Sequence, residues 1–369
     1  MGCSQPFARI DLDALAHNFA EVRRLVGPSV AVLPMVKAGA YGHGAVDVTR
    51  TLAGLGCAGF GVATLDEAAQ VADAAAGARI VVFGGVLASD ARRIVELGVE
   101  VGLHDRSVAE AVAAAAVEAG RDVPVHVKVD TGMRRFGVEP DDAASFIAMM
   151  MATPGISPVA LWSHFAMAES VTTEVTEGQL ERLEHAAAAV RAGGAELPCH
   201  LANSAGIMTR PGTHLDMVRP GLMLYGLYPD AALADRADLR PVMSFEAPVV
   251  RIAQVGPGEG IGYGHTYRTT RTSRLATLRC GYADGYPRAL SNRGHVVLHG
   301  KRVPVVGRVC MDHTIIDVTD LDEVALGDRA LLWGPGLDAG EVAAVADTIS
   351  YELVARVGAR VERRHEAAP

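Results

Sequence analysis

The chain has 369 residues, half of them hydrophobic, with 34 Lys and Arg against 43 Asp and Glu and a formal net charge of −9. That length exceeds one small domain but suits a barrel with a smaller companion, and the apolar content can fill a core without disulfide or metal staples. An acidic balance with no basic block argues against nucleic acid or an anionic membrane surface as partner, and no apolar run reaches membrane-spanning length. The five cysteines, Cys3, Cys57, Cys199, Cys280 and Cys310, are odd in number and never spaced C-x-x-C, which fits a reducing compartment and no metal site. The opening MGCSQPFARIDLD meets acidic residues before any signal-peptide core, so a cytoplasmic location is expected. Cys3 has no hydrophobic segment ahead of it, which argues against lipidation.

In chain order, Phe7 to Leu12 reads as a strand, after which Asp11 or Asp13 caps a helix with the apolar face Leu15, Phe19, Val22 and Val26. Gly27 and Pro28 stop it. From Ala31 a rhythm begins of short apolar strand, polar or glycine turn, and alanine-rich amphipathic helix. Strand-like pieces fall at Ala31 to Val36, Phe60 to Ala63, Ile80 to Phe83, Val99 to Leu103, Val125 to Val129, Val159 to Trp162, His200 to Ala202 and Met223 to Tyr225. Thr64 and Glu67 form a capping-box pattern at one helix start. Eight strands alternating with helices predict a TIM (β/α)8 barrel over residues 11–240, with a doubly wound sheet as the main alternative.

The segment PDAALADRADLRPV reads as a linker. Beyond it Val-, Thr- and Gly-rich pieces dominate, including HVVLHGKRVPVVGRVCMDHTIIDV, where His299-Gly300 separates two strand-like runs. This predicts a β-rich C-terminal domain over 241–369, with residues 1–10 pairing into it.

Within the first βα unit, PMVKAGAYGHG delivers Lys37 from an apolar run into a glycine-rich loop with Tyr41 and His43. Taken alone it is a solvated lysine past a strand. The alternative is a desolvated amine of lowered pKa, a nucleophile for a carbonyl by Schiff-base chemistry. In a barrel the working site lies at the carboxyl ends of the strands, and those ends collect Lys37, Tyr41, Lys128, Arg135, His164, Asn203, Ser204 and Arg219. Each has an ordinary explanation: surface charge for Arg135, a core histidine at His164, a helix cap at Asn203-Ser204. Together they supply an amine for an aldehyde, hydroxyls and backbone amides for a phosphate, and a cation facing a ring, with Gly206 and Gly221 allowing close backbone approach.

MVKAGAYGHG, KVDTGMRRFGV, SHFAMAE, HLANSAG, MVRPGLMLYG, GYGHTY, CGYADGYPR, GRVCMDHTIIDV and ISYE, in that order, resemble the alanine racemases from about Ala8 to Arg364. The resemblance implies a TIM barrel with a β domain and pyridoxal 5'-phosphate held on Lys37 as a Schiff base. Tyr41, Ser204 and the backbone at Gly221 and Leu222 would receive the phosphate, beside Asn203, with Tyr351 closing over it and narrowing the pocket against larger substrates than alanine. Arg219 would face the pyridine nitrogen, with His164 hydrogen-bonded to it. A guanidinium accepts no proton, so the ring would be a weak electron sink, which suits racemisation. Arg135 would meet the substrate carboxylate, and Lys128 matches a position often carried as a carbamate.

Inverting a centre takes one base on each face. The resemblance implies Lys37 for D-alanine and Tyr263 for L-alanine, with Tyr263 and the backbone of Met311 reaching over from the partner in a homodimer. The product, D-alanine, would serve cell-wall peptidoglycan. A broader amino-acid or serine racemase and a pyridoxal-phosphate carrier protein are the alternatives. Two positions depart from the family pattern: Gly39, usually Asn or Asp, and Glu362, which stands for a proline behind the pocket.

Overall fold

The computed structural model describes residues 5–75, 77–170 and 174–367; Cys3 lies outside them. The first strand, β1 (Phe7–Asp11), runs into a helix over Leu12–Val26. Asp11 caps this helix, accepting the Ala14 amide at 2.8 Å, and Leu15, Phe19, Val22 and Val26 are its buried stripe. Gly27 ends it at φ 76°, a left-handed position that costs glycine nothing.

Eight parallel strands follow among the described residues: β2 (Ala31–Val32), β3 (Phe60–Val62), β4 (Ile80–Val82), β5 (Glu100–Leu103), β6 (Val123–Lys128), β7 (Ile156–Trp162), β8 (Cys199–His200) and β9 (Met217–Val218). They pair in the order β2-β9-β8-β7-β6-β5-β4-β3, and Met35 bridges Gly61 in parallel to bring the two edges together. That closure excludes the doubly wound alternative and makes the predicted TIM barrel. One strand differs from the sequence reading. Met223–Tyr225 is part of a buried 3-10 turn, Leu222–Tyr225, and the eighth strand is the two-residue piece Met217–Val218 before it. The run is apolar because the turn is buried, not because it is extended.

Alternation along each strand sorts the side chains. In β6, Val125 and Val127 face the helices with the main core, while His126 and Lys128 point into the barrel, both buried. The interior also holds a separate apolar cluster of Leu33, Met35, Val81, Phe83, Trp162 and Met217. A barrel lumen with two histidines, a lysine and an arginine among aromatic rings needs every polar atom matched.

The second region is a sheet ordered β15-β14-β17-β10-β1-β18, with β13 and β16 branching from β10. Its strands are β10 (Met243–Val255), β13 (Ser273–Leu278), β14 (His295–Leu298), β15 (Lys301–Pro304), β16 (Thr314–Asp317), β17 (Arg329–Trp333) and β18 (Glu362–Glu366). A separate two-stranded ribbon joins β11 (Gly260–Ile261) and β12 (Tyr267–Arg268). His299 and Gly300, at φ 51° and 74°, make the two-residue turn between β14 and β15, where both central residues need positive φ. β1 lies antiparallel to β10 and parallel to β18. No helix among the described residues is long and apolar enough to cross a membrane.

Candidate active site

A cavity of about 520 Å³ opens at the carboxyl ends of the barrel strands, lined among others by Lys37, Tyr41, Arg135, His164, Asn203, Ser204, Arg219, Gly221, Leu222 and Tyr351. The residues gathered from the strand ends in the sequence therefore share one space, Lys128 excepted.

Lys37 begins an unusual turn. Ala38, Gly39, Ala40 and Tyr41 all have φ between 52° and 63°, so one left-handed turn follows the lysine, closed by Gly42 N–H to Ala38 O at 2.9 Å and Gly44 N–H to Gly39 O at 2.8 Å. Left-handed backbone costs an L-residue roughly 1–2 kcal/mol, so something must hold it. Glu67 does so: beyond completing the predicted capping box with Thr64, its carboxylate accepts the Ala38 and Ala63 amides at 2.7 Å each. Burial lowers the Lys37 pKa, and the cations of Arg135 and Arg219 lower it further while Glu67 opposes them. His43 turns away from the cavity; it is fully buried and its Nδ1 bonds the Tyr41 carbonyl at 2.8 Å.

Across from the lysine, the Ser204 hydroxyl accepts the Gly221 amide at 3.0 Å and the Met223 amide at 3.3 Å. A Cβ on Gly221 would lie 2.4 Å from the Tyr41 hydroxyl, so glycine is what lets that hydroxyl reach the backbone. Tyr41 stacks on Tyr225 at 4.9 Å and meets Tyr351 at 6.3 Å. Burial drives the Tyr351 phenol up to about 12 and Tyr41 higher still, so both are hydrogen-bond donors at neutral pH. Asn203 lines the cavity, but its side-chain oxygen caps the helix Ser204–Thr209 by accepting Gly206 N–H at 3.0 Å.

Arg219, just past β9, is nearly fully buried. One terminal nitrogen donates to His200 Nδ1 at 2.5 Å; the other donates to Ser163 O at 2.6 Å and Leu201 O at 3.2 Å and lies 3.3 Å from His164 Nδ1. The guanidinium sits 5.1 Å from the Trp162 ring centroid. Burial draws its pKa down to about 9, which leaves it charged at neutral pH. Burial and the Arg219 cation hold both His164 and His200 far below the usual imidazole range, so both are neutral acceptors for it. His164, picked from the sequence as the partner, makes the longer contact. His200 makes the shorter one, and no spacing along the chain signals it.

Lys128 is buried beneath this layer, outside the cavity lining. Its Nζ donates to Val129 O at 2.7 Å and Ser163 Oγ at 3.2 Å, and lies 5.0 Å from the Trp162 ring centroid. Burial, with Arg219 next, pushes this amine down to about 7. Arg135 packs on the Phe136 ring at 5.1 Å and has no carboxylate partner among the described residues.

Two residues stay apart. Tyr263, 73% exposed in a short turn, and Met311, 53% exposed, belong to the second region and do not line the cavity of their own chain. Glu362 opens β18, exposed and paired with Arg364 at 2.7 Å, and does not line the cavity. The structure also brings in Glu67 and His200, which the strand-end reading missed; the capping box was the one sequence signal that pointed near Glu67.

The alanine racemase N-terminal domain family matches residues 10–229 and the alanine racemase C-terminal domain family matches residues 242–365. An alanine racemase of Desulfovibrio desulfuricans is 42% identical over 97% of each chain, and one of Chlorobaculum tepidum is 41% identical over 96% of this chain and 94% of its own. The solved alanine racemase of D-cycloserine-producing Streptomyces lavendulae superposes with a TM-score of 0.95 at 34% identity, covering 100% of this chain and 99% of its own. That of Streptomyces coelicolor A3(2) does so at 0.92 and 35%, covering 98% of each. With both domains matched and relatives aligned along nearly its whole length, the chain belongs to the alanine racemase family of isomerases.

Proposed function

We propose that the chain interconverts L- and D-alanine in the cytoplasm, with pyridoxal 5'-phosphate on Lys37, and that the D-alanine serves peptidoglycan. The observation that carries this reading is that an amine of lowered pKa, Lys37, faces the same cavity as a donor-only cation, Arg219. The remaining lining fits the cofactor. Ser204, the Gly221 and Leu222 backbone and the phenols of Tyr41 and Tyr351 are donors suited to a phosphate, gathered where Gly221 permits close approach.

When bound, the cofactor supplies a carbonyl that condenses with an amino group and a conjugated ring that takes up charge from Cα. The protein does the rest. Arg219 offers N–H groups and no acceptor, so the atom it faces stays unprotonated. Arg135, with no carboxylate partner among the described residues, is available to bind the substrate carboxylate. Lys37 Nζ takes the Cα proton of D-alanine on one face, and the Tyr263 hydroxyl takes that of L-alanine on the other. Because Tyr263 and Met311 stand outside their own chain's cavity, we assign them to the partner's site in a homodimer with shared active sites.

Proton NMR of L-alanine in heavy water, with purified protein and pyridoxal phosphate, tests the reading. Loss of the Cα proton signal with D-alanine formed, L-serine little changed, and no turnover by Lys37→Ala is the expected result. Serine turned over as fast as alanine would point to a broader racemase, and bound cofactor with no exchange to a carrier protein.

A further inference from the structure

The contact between Arg219 and His200 is the first link of a chain that crosses the barrel. His200 Nε2 lies 2.8 Å from His126 Nδ1, and His126 Nε2 lies 2.8 Å from Glu100 Oε2. Glu100 opens β5, at the mouth of the barrel opposite the cavity, where its other oxygen meets Arg79 Nε at 3.1 Å. Both histidines are completely buried. Trp162 stacks parallel to His200, and Phe83 sets its edge against both imidazoles at 5.7 and 5.9 Å, so water is kept from the links.

The two ends decide where every proton sits. Glu100 as a carboxylate can only accept, so His126 must donate from Nε2. In a neutral ring that leaves Nδ1 an acceptor, which requires His200 to donate from its own Nε2 and to accept at Nδ1. Arg219 can only donate, and it donates there. Reversing either ring would set two N–H groups head-on at 2.5–2.8 Å. Burial favours the neutral rings that this order needs. The chain is thus a one-way donor series between a buried cation and a carboxylate, in a medium where hydrogen bonds polarise one another.

We propose that Glu100 is a positioning residue for the reaction: through His126 and His200 it anchors Arg219, so that the guanidinium presents a fixed donor to the cavity from the far side of the barrel. The hydrogen bonds of Arg219 use its two terminal nitrogens, leaving Nε without a protein acceptor among the described residues and free for a ligand. The proposal rests on the reading of Arg219 as the residue facing the cofactor ring. It differs from a stability role because it predicts proton positions and a turnover effect at a site three side chains away.

Nitrogen-15 NMR of histidine-labelled protein reads the tautomers directly. The expected result in the native enzyme is Nε2–H with unprotonated Nδ1 at both His126 and His200; a protonated His200 Nδ1 would overturn the proposal with no variant needed. In Glu100→Leu, the orphaned His126 N–H should disturb the His200 Nδ1 resonance, shift the pH profile of the Lys37-bound cofactor absorbance, and lower kcat about tenfold with KM within about twofold. Glu100→Gln, which retains an acceptor, should restore most of kcat. Native His200 signals and native kcat in Glu100→Leu would sink the idea, as would a Gln variant as slow as the Leu one. The tautomers need no bound cofactor. Failure of the cofactor reading, seen as no Lys37 absorbance in the native protein, is therefore distinguishable from failure of the chain.

Discussion

An amine is a nucleophile and a base only after it loses its proton, and the barrel arranges that loss twice. At Lys37 burial and two guanidinium cations disfavour the charge, and the side chain faces the cavity. At Lys128 burial is deeper and the amine titrates near 7 while reaching only Val129 O and Ser163 Oγ. A neutral buried amine beside cations is suited to carbamylation, in which R–NH2 and CO2 give R–NH–COO⁻ and a proton. The lysine charge is lost as pH rises through about 7, so the carbamate should form above that value and be released below it. Carbon-13 NMR with labelled bicarbonate should show a protein carbamate at pH 8 that is absent at pH 6 and absent in Lys128→Met. A signal that survives the substitution would place it elsewhere. His164, His200 and Lys128 share one electrostatic cause, since the buried Arg219 charge lowers all three.

At the scale of elements, the left-handed turn after Lys37 is the most demanding piece of backbone near the site. The glycine at 39 sits at φ 63° with nothing within 4 Å of where a Cβ would lie. Its departure from the usual Asn or Asp is therefore a matter of backbone, not of filled space. Gly39→Asn is expected to change stability by less than about 0.5 kcal/mol because Asn tolerates this region, whereas Gly39→Val should cost about 1–2 kcal/mol. Urea denaturation measures both, and equal values would show that backbone conformation is not what governs the position. Glu67→Ala removes the acceptor for the Ala38 and Ala63 amides and for the helix cap. It should cost about 1–3 kcal/mol and weaken retention of pyridoxal phosphate on dialysis. Native retention would mean that the turn holds without its carboxylate.

For the whole molecule, Tyr263 and Met311 stand outside the cavity of their own chain. If Tyr263 serves the partner's site, an inactive Lys37→Ala chain and an inactive Tyr263→Phe chain complement each other. A fully exchanged equal mixture should recover about a quarter of native sites, since half the dimers are mixed and each holds one intact pair. No recovery, with mixed dimers verified by mass spectrometry, would show that the sites are not shared. Tyr263→Phe alone should slow Cα exchange of L-alanine far more than that of D-alanine; equal losses would count against one base per face.

Much of this is legible in the sequence. The cap at Asp11, the capping box at Thr64 and Glu67 and the hairpin turn at His299-Gly300 are local signals, carried by neighbours in the chain, and they appear where the pattern put them. So is the βα rhythm, because a strand buried on one face by helices and on the other by the lumen must be apolar or specially matched. The eighth strand was not legible, because two residues are too few for a period and the apolar run beside it is a buried turn. Alternation along β6 says that Val127 and Lys128 face opposite ways; only closure of the barrel decides which side is the lumen. The chain from Glu100 to Arg219 joins residues 26, 74 and 19 positions apart, and its links exist only because four strands curve around one axis. Sequence by itself determined the family's motifs, their order and the chemistry each side chain carries. Tertiary structure decided which of those side chains meet, since closing the sheet brings together partners that no local spacing encodes.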